Sequence, residues 1–356
     1  MFHSSAIIYE NWIRALSSMR VIIVGFGVVG QSFAKTVQAK AGWLKSRYGI
    51  IPQVVAIVDR GGAIVNQDGV KLAEALASRE TAGTVASHGA YGRRSVTALE
   101  VINDVEADVL LELTPTHLPD GEPGLMHIES AIKKGLNVVT TNKGPLAVAM
   151  PSLIELAQYQ RVQLRFSGTV GGGTPILSFA KECLEGDHIE SVQGILNGTT
   201  NYILTRIFDD GVPMDDAIKE AQQAGYAEAD PTIDISGLDT ACKLVIISNW
   251  IMGKRVTIRD VEVEGVSKIN PNEILEAKRA GKAIKLVGRA DDSNTSVHPR
   301  AVAISNPLCV NGTLNAVAFD TELAGTVTLI GAGAGGKETA TAVLRDLIDI
   351  KKMLLK

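Results

Sequence analysis

Short apolar runs and longer helical patterns follow one another along the first half of the chain. Val21–Val24, Val54–Val58 and Val109–Leu113 each have the length of a buried strand. Helical patterns come after them, at Gln31–Lys40 and Met126–Lys134. Because strands alternate with helices, we predict an α/β fold built on a doubly wound parallel sheet of the Rossmann type. Such a sheet binds its ligand beyond the carboxyl ends of its strands.

A glycine-rich turn lies between the first strand and its helix. The turn has the pattern Gly-x-Gly-x-x-Gly and consists of Gly25, Phe26, Gly27, Val28, Val29 and Gly30. In this context the first glycine allows the tight turn, the second lets a pyrophosphate approach the backbone, and the third lets the helix pack on the strand. The helix N-terminus adds N–H groups and a partial positive charge. We therefore predict that this half binds a dinucleotide.

The end of the second strand bears on which dinucleotide binds. Asp59 stands where a carboxylate normally accepts hydrogen bonds from the ribose hydroxyls of NAD. It comes late after Gly30, and residues 41–53 suggest a longer connection. Arg60 follows, and a guanidinium suits the 2′-phosphate of NADP, although a solvent-exposed turn residue is the alternative. These residues favour NADP and leave NAD open.

Polar residues also close the next two strands. Thr114 follows Val109–Leu113, and Asn142 and Lys143 follow the strand that starts at Val138. The carboxyl ends of parallel strands share one edge of the sheet. Lys143 is therefore expected to point toward the cofactor crevice, with a solvated lysine as the alternative.

Composition narrows the class of protein. The chain has 356 residues, of which 46% are hydrophobic and 21% charged, which predicts a globular protein of two domains. A net charge of −4 without dense basic runs argues against a nucleic-acid partner. No apolar run is long enough for a bilayer, so we expect no membrane association. The three scattered cysteines suggest a reducing cytoplasm and no zinc site.

The most informative segment runs from Gly225 to Lys243. It is rich in acidic residues and leads into an apolar helix, on which Asp239 and Lys243 are four positions apart and share a face. With Glu228 and Asp234 from the approach, the carboxylates could hold a small polar substrate while the lysine handles a proton. The alternative is a solvated loop followed by an ordinary ion pair.

Two further glycine clusters follow in the second half. Residues 168–173 come after a strand and before a helix, and their exposed carbonyls could ligate a hard cation. Residues 331–336 precede the helical stretch Val343–Leu355. The cluster at 168–173 is not a phosphate-binding P-loop, because it has no Gly-Lys-Ser/Thr ending.

With these segments in place, the chain resembles the homoserine dehydrogenases. The matching stretches appear in the family's order from about Met19 to the end of the chain. They are the turn at 26–30, Val-Thr-Thr-Asn-Lys-Gly-Pro-Leu-Ala at 139–147, Thr-Val-Gly-Gly-Gly-x-Pro-Ile at 169–176, Gly-Ile-Leu-Asn-Gly-Thr-Thr-Asn-Tyr-Ile at 194–203, Gly-Tyr-Ala-Glu-Ala-Asp-Pro at 225–231, and Gly-x-Gly-Ala-Gly at 331–335.

The resemblance implies an activity. The family interconverts L-aspartate 4-semialdehyde and L-homoserine with a nicotinamide cofactor, in the biosynthesis of threonine, methionine and isoleucine. By resemblance, Lys243 is the proton donor to the aldehyde oxygen, and Glu228, Asp239 and Asp234 lie at the substrate. The residues matched to the cofactor are Lys143, which also lies beside the substrate, together with Gly225, Gly333 and Gly335.

The family also implies a sodium ion. It would be held by carbonyls of the second glycine cluster, at Val170, Gly172 and Thr174. Some relatives add a glutamate where this chain has Ser167, which puts the ion site in doubt. A second departure is His117, where many relatives have asparagine; it is either a nicotinamide contact or a tolerated loop substitution.

The resemblance also organises the chain. We expect an N-terminal extension at 1–18, a Rossmann domain at 19–148 joined by a returning C-terminal helix at 336–356, and a substrate-binding and dimerisation domain at 149–335. A fused regulatory or kinase domain is not expected, and a cytoplasmic homodimer is. Two alternatives to the family's activity are a sister oxidoreductase acting on another small amino-acid aldehyde and a non-catalytic NAD(P)-sensing protein.

Overall fold

Residues 18–354 are described by the structure, a computed structural model, and they divide into two units. The first unit contains residues 18–145, 152–166 and 339–354, and the second contains residues 146–151 and 167–338. The N-terminal extension expected at 1–18 lies outside the described residues except for Ser18, which begins the first strand.

The chain forms thirteen strands within the described range. They are β1 (Ser18–Val24), β2 (Ile51–Asp59), β3 (Gly62–Val65), β4 (Gly92–Arg94), β5 (Val109–Glu112), β6 (Asn137–Thr140), β7 (Leu164–Arg165), β8 (Ile189–Ile195), β9 (Glu262–Val263), β10 (Lys282–Asp291), β11 (Thr295–Ala303), β12 (Leu314–Thr321) and β13 (Gly325–Ala332).

Twelve α-helices accompany these strands in the described part of the chain. They are α1 (Val28–Tyr48), α2 (Leu72–Ala82), α3 (Ala98–Asp104), α4 (Gly124–Lys133), α5 (Lys143–Tyr159), α6 (Ile176–Cys183), α7 (Gly198–Asp210), α8 (Met214–Gln223), α9 (Thr232–Ile235), α10 (Leu238–Ile251), α11 (Pro271–Arg279) and α12 (Gly336–Leu354).

The first unit is built on a seven-stranded sheet in the order β4-β3-β2-β1-β5-β6-β7. Strands β2, β1, β5, β6 and β7 run parallel to one another. At the other edge, β3 pairs antiparallel with β2, and β4 pairs antiparallel with β3. Strands buried on both faces read as continuous apolar runs, as β1 and β5 do. The expected α/β class with a parallel sheet is confirmed. Because β7 pairs with β6, residues 152–166 belong to this unit, beyond the expected boundary at 148.

Helix α1 is longer than the sequence pattern indicated. It runs for 21 residues and ends at Gly49, whose φ of 64° suits a left-handed cap. Most of the expected connection at 41–53 is therefore helix, held by the burial of Leu44 and by Lys45 and Arg47 in the last turn. The late position of Asp59 comes from these extra helical turns.

Helix α12 completes the core of the first unit. Its apolar residues Ala340, Val343 and Leu347 are fully buried and belong to the same hydrophobic cluster as Ile23 of β1 and Phe33 of α1. The last helix and the first strand of the unit therefore share one core.

The second unit is built on a six-stranded sheet in the order β13-β12-β8-β10-β11-β9. All its pairings are antiparallel except that of β9 with β11. Helix α10 is the most deeply buried helix of this unit, since every residue from Asp239 to Asn249 is buried. A helix that is apolar on all sides lies inside its domain rather than on its surface.

Besides Lys243 of α10, another lysine is buried in this core. Lys285 on β10 is 1% exposed, and its ammonium donates hydrogen bonds to Asn201 Oδ1 (2.9 Å), Asn311 Oδ1 (3.2 Å) and Thr205 Oγ1 (3.3 Å). Burial lowers the pKa of Lys285 to about 8, against the opposing effects of Cys309 and Asp209.

Among residues 18–354, no helix has the length and apolar character required to cross a bilayer.

Candidate active site

In the glycine turn of the first unit, Gly25 and Gly30 pack tightly against the protein, whereas Gly27 faces open space. Gly25 has a φ of 99°, and a Cβ there would lie 2.5 Å from the Leu113 backbone. A Cβ on Gly30 would lie 2.4 Å from Gly25 O. A Cβ on Gly27 would meet no protein atom within 4 Å. The free space is therefore at Gly27, at the N-terminus of α1, where a pyrophosphate would approach.

Asp59 is occupied by its own loop. Its Oδ1 accepts hydrogen bonds from Gly61 N (2.9 Å) and Thr84 Oγ1 (2.6 Å), and its Oδ2 accepts one from Val85 N (2.8 Å). The guanidinium of Arg79 lies 3.6 Å from Oδ2, and the Asp59 side chain is 6% exposed. The carboxylate therefore shapes the turn at the end of β2, whereas the next residue, Arg60, is exposed.

The ends of β5 and β6 are joined by side-chain hydrogen bonds. Asn142 is the N-cap of α5: its Oδ1 accepts from Gly144 N (3.0 Å), so its Nδ2 faces Thr114 Oγ1 (3.1 Å). Lys143 is the first residue of α5, and its backbone N–H donates to Thr116 Oγ1 (3.3 Å). Thr114, Asn142 and Lys143 thus lie together at the carboxyl edge of the sheet. His117 is exposed and pairs with Asp120 at 2.7 Å.

In the second unit, Lys243 and Asp239 form a buried ion pair on α10. The Nζ–Oδ2 distance is 2.7 Å, and Nζ also donates to the Leu196 carbonyl at 2.6 Å. Lys243 is 7% exposed, so its ammonium needs such partners. The i,i+4 spacing read from the sequence therefore lies inside the protein and is not a surface pair.

Asn197 links this pair to Asp234. It is the N-cap of α7, and its Oδ1 accepts from Thr200 N (2.8 Å). The cap fixes the direction of the amide, so Nδ2 donates to both Asp239 Oδ2 (2.9 Å) and Asp234 Oδ1 (2.6 Å). The two carboxylates are brought together by one amide group that the sequence analysis did not single out.

The electrostatics of the cluster favour binding of a cation. Burial raises the pKa of Asp234 above the ordinary value of an aspartate, and the neighbouring charge of Asp239 adds to this, while Asn197 and Lys243 act in the opposite direction. Two adjacent carboxylates that resist ionising together are stabilised by an added positive charge. The ammonium of an amino acid would supply that charge.

Glu228 and Gly225 are not buried with this cluster. Both are exposed, in the loop between α8 and α9. The backbone carbonyl of Glu228 accepts from Gln222 Nε2 (3.2 Å), and Gly225, with a φ of 74°, follows the end of α8. The structure therefore groups Asp234, Asp239 and Lys243, and leaves the Glu228 side chain on an exposed loop of the same unit.

The two glycine clusters of the second unit meet each other. A Cβ on Gly172 would lie 3.2 Å from the backbone of Gly333, and a Cβ on Gly331 would lie 2.1 Å from Thr174 Oγ1. At Gly172 backbone packs on backbone and the φ of 54° favours glycine, whereas at Gly331 the missing Cβ leaves room for the Thr174 side chain. The segments expected to hold an ion and to contact the cofactor are therefore one structural feature.

Asn315 on β12 connects this feature to the lysine. Its Nδ2 donates to Leu196 O (2.8 Å), the carbonyl that Lys243 also contacts, and its amide lies against Gly333. Its Oδ1 is buried without a hydrogen-bond partner. A polar residue inside the apolar run of β12 was the only signal of Asn315 in the sequence, and Asn197 was visible as the asparagine that precedes α7.

The oxygen donors proposed for a sodium ion are uncharged. Val170 is fully buried, Gly172 has a φ of 54°, and the Thr174 carbonyl already accepts from Ile176 N at 2.8 Å. Among the described residues, no group of three or more His, Cys, Asp or Glu side chains could hold a metal. A carbonyl has two lone pairs, so these donors fit a weakly held monovalent cation better than a divalent one.

Two family models match the chain. The model described as the NAD binding domain of homoserine dehydrogenase matches residues 25–167, and the model described as homoserine dehydrogenase matches residues 175–348. The first match contains the glycine turn and Lys143. The second contains the Lys243 cluster and the glycine cluster at 331–336, whereas the cluster at 168–173 lies between the two matches.

Individual proteins agree with these models. The chain is 46% identical to the homoserine dehydrogenase of Methanocaldococcus jannaschii, over 93% of this chain and 98% of that protein. It is 37% identical to an NAD(+)-dependent homoserine dehydrogenase of Pseudomonas canavaninivorans, over 94% and 97%. The structure of a hyperthermophilic archaeal homoserine dehydrogenase in complex with NADPH superposes with a TM-score of 0.83 at 30% identity, covering 94% of this chain and 98% of that one.

Proposed function

The chain belongs to the homoserine dehydrogenase family and is an NAD(P)-dependent oxidoreductase, and from this premise we propose the roles of its residues in the interconversion of L-aspartate 4-semialdehyde and L-homoserine. The two alternatives, a sister oxidoreductase and a non-catalytic sensor, are not favoured by these matches. The observation that carries the proposal is the position of the Lys243 ammonium between Leu196 O and Asp239.

Lys243 is proposed as the general acid in aldehyde reduction. When bound, the nicotinamide supplies the hydride, and negative charge then develops on the carbonyl oxygen of the substrate. The Lys243 ammonium stabilises that charge and gives its proton to the oxygen, and in homoserine oxidation the neutral amine takes the proton back. The adjacent Asp239 and the Leu196 carbonyl orient the ammonium before the substrate arrives.

The carboxylates are proposed to hold the amino-acid end of the substrate. Asp234 and Asp239 share the Asn197 amide, and burial, followed by the neighbouring charge of Asp239, raises the pKa of Asp234. The substrate ammonium would complete the pair. Glu228, on its exposed loop, is proposed as a further carboxylate for the same group, and Gly225 as a cofactor contact.

Lys143 is proposed to act at the cofactor. It opens α5 beside Thr114, at the edge where a doubly wound sheet binds its ligand. A positive side chain at a helix N-terminus does not stabilise the helix, since that end carries partial positive charge. Its place there therefore supports a role in binding or orientation.

We favour NADP as the cofactor. The Asp59 carboxylate is turned into its own loop, so it is a poor receptor for ribose hydroxyls, while Arg60 is exposed. The neighbouring edge strand brings a second arginine to the same turn, because Gly62 pairs with Arg94. Arg60→Ala is expected to raise the KM for NADP roughly tenfold, the effect of losing one charged contact, and to leave the KM for NAD unchanged.

A sodium ion is proposed at the carbonyls of Val170, Gly172 and Thr174. It would brace the joined glycine clusters and would take no part in proton transfer. Replacing sodium by choline at constant ionic strength should lower the melting temperature of the protein if the ion binds there. An unchanged melting temperature would argue against the site.

We also propose a cytoplasmic homodimer. Cys183, Cys242 and Cys309, which all lie in the described residues, form no disulfide, as in a reducing compartment. Strand β13 stands at one edge of its sheet and exposes Ile330. An exposed apolar edge needs a cover, which a second copy could provide. Light scattering after size exclusion would give the mass.

The decisive test of the function follows absorbance at 340 nm with L-homoserine and either NADP or NAD at alkaline pH. Lys243→Ala is expected to lower kcat by about 100-fold or more, in keeping with lost general acid–base catalysis. Cofactor affinity should change little. Near-normal turnover in this variant would remove Lys243 from the mechanism.

Lys219→Ala is the matched control. Lys219 lies exposed on α8 and pairs with Asp216 at 3.4 Å, so the change removes a lysine without touching the cluster. The Lys219→Ala variant should turn over homoserine like the wild type.

Cofactor binding without turnover by the wild type would favour the sister oxidoreductase over the proposed reaction.

A further inference from the structure

Glu112 is a buried carboxylate that the proposed chemistry does not use. It is the last residue of β5 and is 0% exposed. A carboxylate is almost never fully buried without several hydrogen-bond partners, because burial removes its water. The hydrogen-bond partners of Glu112 therefore show which groups stabilise the buried carboxylate and which groups the carboxylate positions.

The partners of Glu112 come from the ends of two strands. Its Oε1 accepts from the backbone N–H of Thr114 (3.3 Å) and from the Thr114 hydroxyl. Its Oε2 lies 3.2 Å from the hydroxyl of Thr140, the residue opposite it on β6. His127 of α4 is buried behind Oε1, with its Nδ1 at 3.6 Å and without a hydrogen-bond partner.

These contacts give the Thr114 hydroxyl a fixed direction. A threonine hydroxyl has one proton, and here it is donated to Glu112, so Thr114 Oγ1 can only accept from other groups. The second partner agrees: Asn142 Nδ2 donates to Thr114 Oγ1 at 3.1 Å, and the direction of that amide is set independently by its cap on Gly144 N. One lone pair of Thr114 Oγ1 remains for a further donor.

The remaining lone pair lies where a cofactor would use it. Thr114 is half-buried at the carboxyl edge of the sheet, beside the first turn of α5. Of the groups that a nicotinamide dinucleotide brings, the primary carboxamide of the nicotinamide is a planar N–H donor that could reach such an edge. The adenine and phosphate groups belong near the glycine turn and the end of β2.

We propose that Glu112 is a positioning residue for the nicotinamide end of the cofactor, acting through Thr114. It holds the Thr114 hydroxyl as an acceptor for the carboxamide N–H and ties the end of β5 to the end of β6. This inference rests on the proposed use of a nicotinamide cofactor at this edge. It assigns to Glu112 no contact with substrate or cofactor.

The test is a double-mutant cycle on NADPH binding, followed by fluorescence without any amino-acid substrate. Glu112→Gln keeps the size of the side chain but removes its negative charge, so the charge-assisted hydrogen bond that holds the Thr114 hydroxyl is weakened. Thr114→Val removes the hydroxyl. Each change is expected to raise the Kd of NADPH roughly tenfold, and the double variant should be no weaker than Thr114→Val alone.

A shortened ligand locates the effect. ADP-ribose 2′-phosphate, which lacks the nicotinamide, should bind the wild type and Glu112→Gln with equal affinity. Thr114→Ser keeps the hydroxyl and should bind NADPH like the wild type. Glu129→Gln, at an exposed carboxylate of α4 that pairs with Lys133, is the matched control and should change nothing.

Several results would overturn the inference. They are an unchanged Kd of NADPH in Glu112→Gln, losses that add fully in the double variant, or an equal loss for the shortened ligand. Melting temperatures show whether each variant folds; if Glu112→Gln cannot be purified, an unchanged Kd in Thr114→Val refutes the inference alone. Wild-type protein that binds NADPH but does not oxidise homoserine would refute the proposed function and leave this inference standing.

Discussion

Asn197→Asp should destabilise the protein in a way that depends strongly on pH. Aspartate caps helix N-termini as well as asparagine does, so the cap of α7 is retained. The change replaces the donor Nδ2 by an oxygen that faces the carboxylates of Asp234 and Asp239 at hydrogen-bond distance. Three carboxylates would then share one half-buried site.

The size of the destabilisation depends on whether the three carboxylates all stay ionised or one of them takes up a proton. Two unit charges about 3 Å apart repel by roughly 5 kcal/mol at an effective dielectric constant of 20. Taking up one proton is less costly: for a carboxyl of ordinary pKa near 4 it costs about 4 kcal/mol at pH 7, about 2 kcal/mol at pH 5.5 and almost nothing near pH 4. The Lys243 ammonium beside Asp239 makes these values upper bounds.

The assay is thermal unfolding of wild type and variants at pH 7, 5.5 and 4. At pH 7 the variant should melt roughly 10 °C below the wild type, and the difference should shrink steadily on acidification. Asn197→Ala should instead lose about 1 kcal/mol from the cap together with the unmade hydrogen bonds, with a weaker dependence on pH. Asn270→Asp, at the exposed N-cap of α11, is the matched control and should be neutral.

An Asn197→Asp variant that melts with the wild type at pH 7 would contradict this expectation. A deficit that is the same at all three pH values would contradict it too, since the loss would then come from packing rather than from charge. Either result would mean that Asn197 does not couple the two carboxylates in solution.

Three further predictions test other parts of the structure. Gly27→Ala should leave the melting temperature unchanged, because its Cβ meets no protein atom, yet weaken NADPH binding in a fluorescence titration; Gly25→Ala should unfold the turn. Asp234→Asn should raise both the melting temperature at pH 7 and the KM for homoserine. Because folding raises the pKa of the Asp234 carboxyl, its ionised form destabilises the folded protein only above about pH 3.8. The gain in melting temperature should therefore vanish below that pH. Lys285 has a pKa of about 8 in the folded protein and 10.5 in the unfolded chain, so the folded protein binds this proton more weakly. Between pH 7.5 and 10 the free energy of unfolding of the wild type should therefore rise by up to about 3 kcal/mol relative to Lys285→Met, as measured by urea titration.

The elements that sequence predicts well are those with local causes. The strands around Val21 and Val109 and the turn at Gly25 follow from apolar runs and glycines that are adjacent in the chain. The end of α1 was missed because residues 41–48 carry no strong apolar periodicity and are held in the helix by one buried leucine and the cap at Gly49. The depth of α10 was also missed, since an i,i+4 ion pair is normally a surface feature.

The site residues that sequence did not reveal act through distant partners. Asn197 meets Asp239, and Asn315 meets the Leu196 carbonyl, through contacts that no local pattern encodes. Asp59 was expected from the sequence, but its contact with Val85 was not. Glu112 was passed over as one polar position in a buried strand. Each of these groups is recognisable only once tertiary structure shows which donor faces which acceptor.

The shared core of β1 and α12 has a consequence for how the protein is made. About 320 residues separate Ile23 from Leu347, yet both belong to one hydrophobic cluster. At roughly 5–20 residues per second, a ribosome needs on the order of 15–65 seconds to deliver the second after the first. Throughout that interval the first parallel strands are in the cell without the helix that covers them, so we expect the nascent chain to depend on holding chaperones until its last helix emerges.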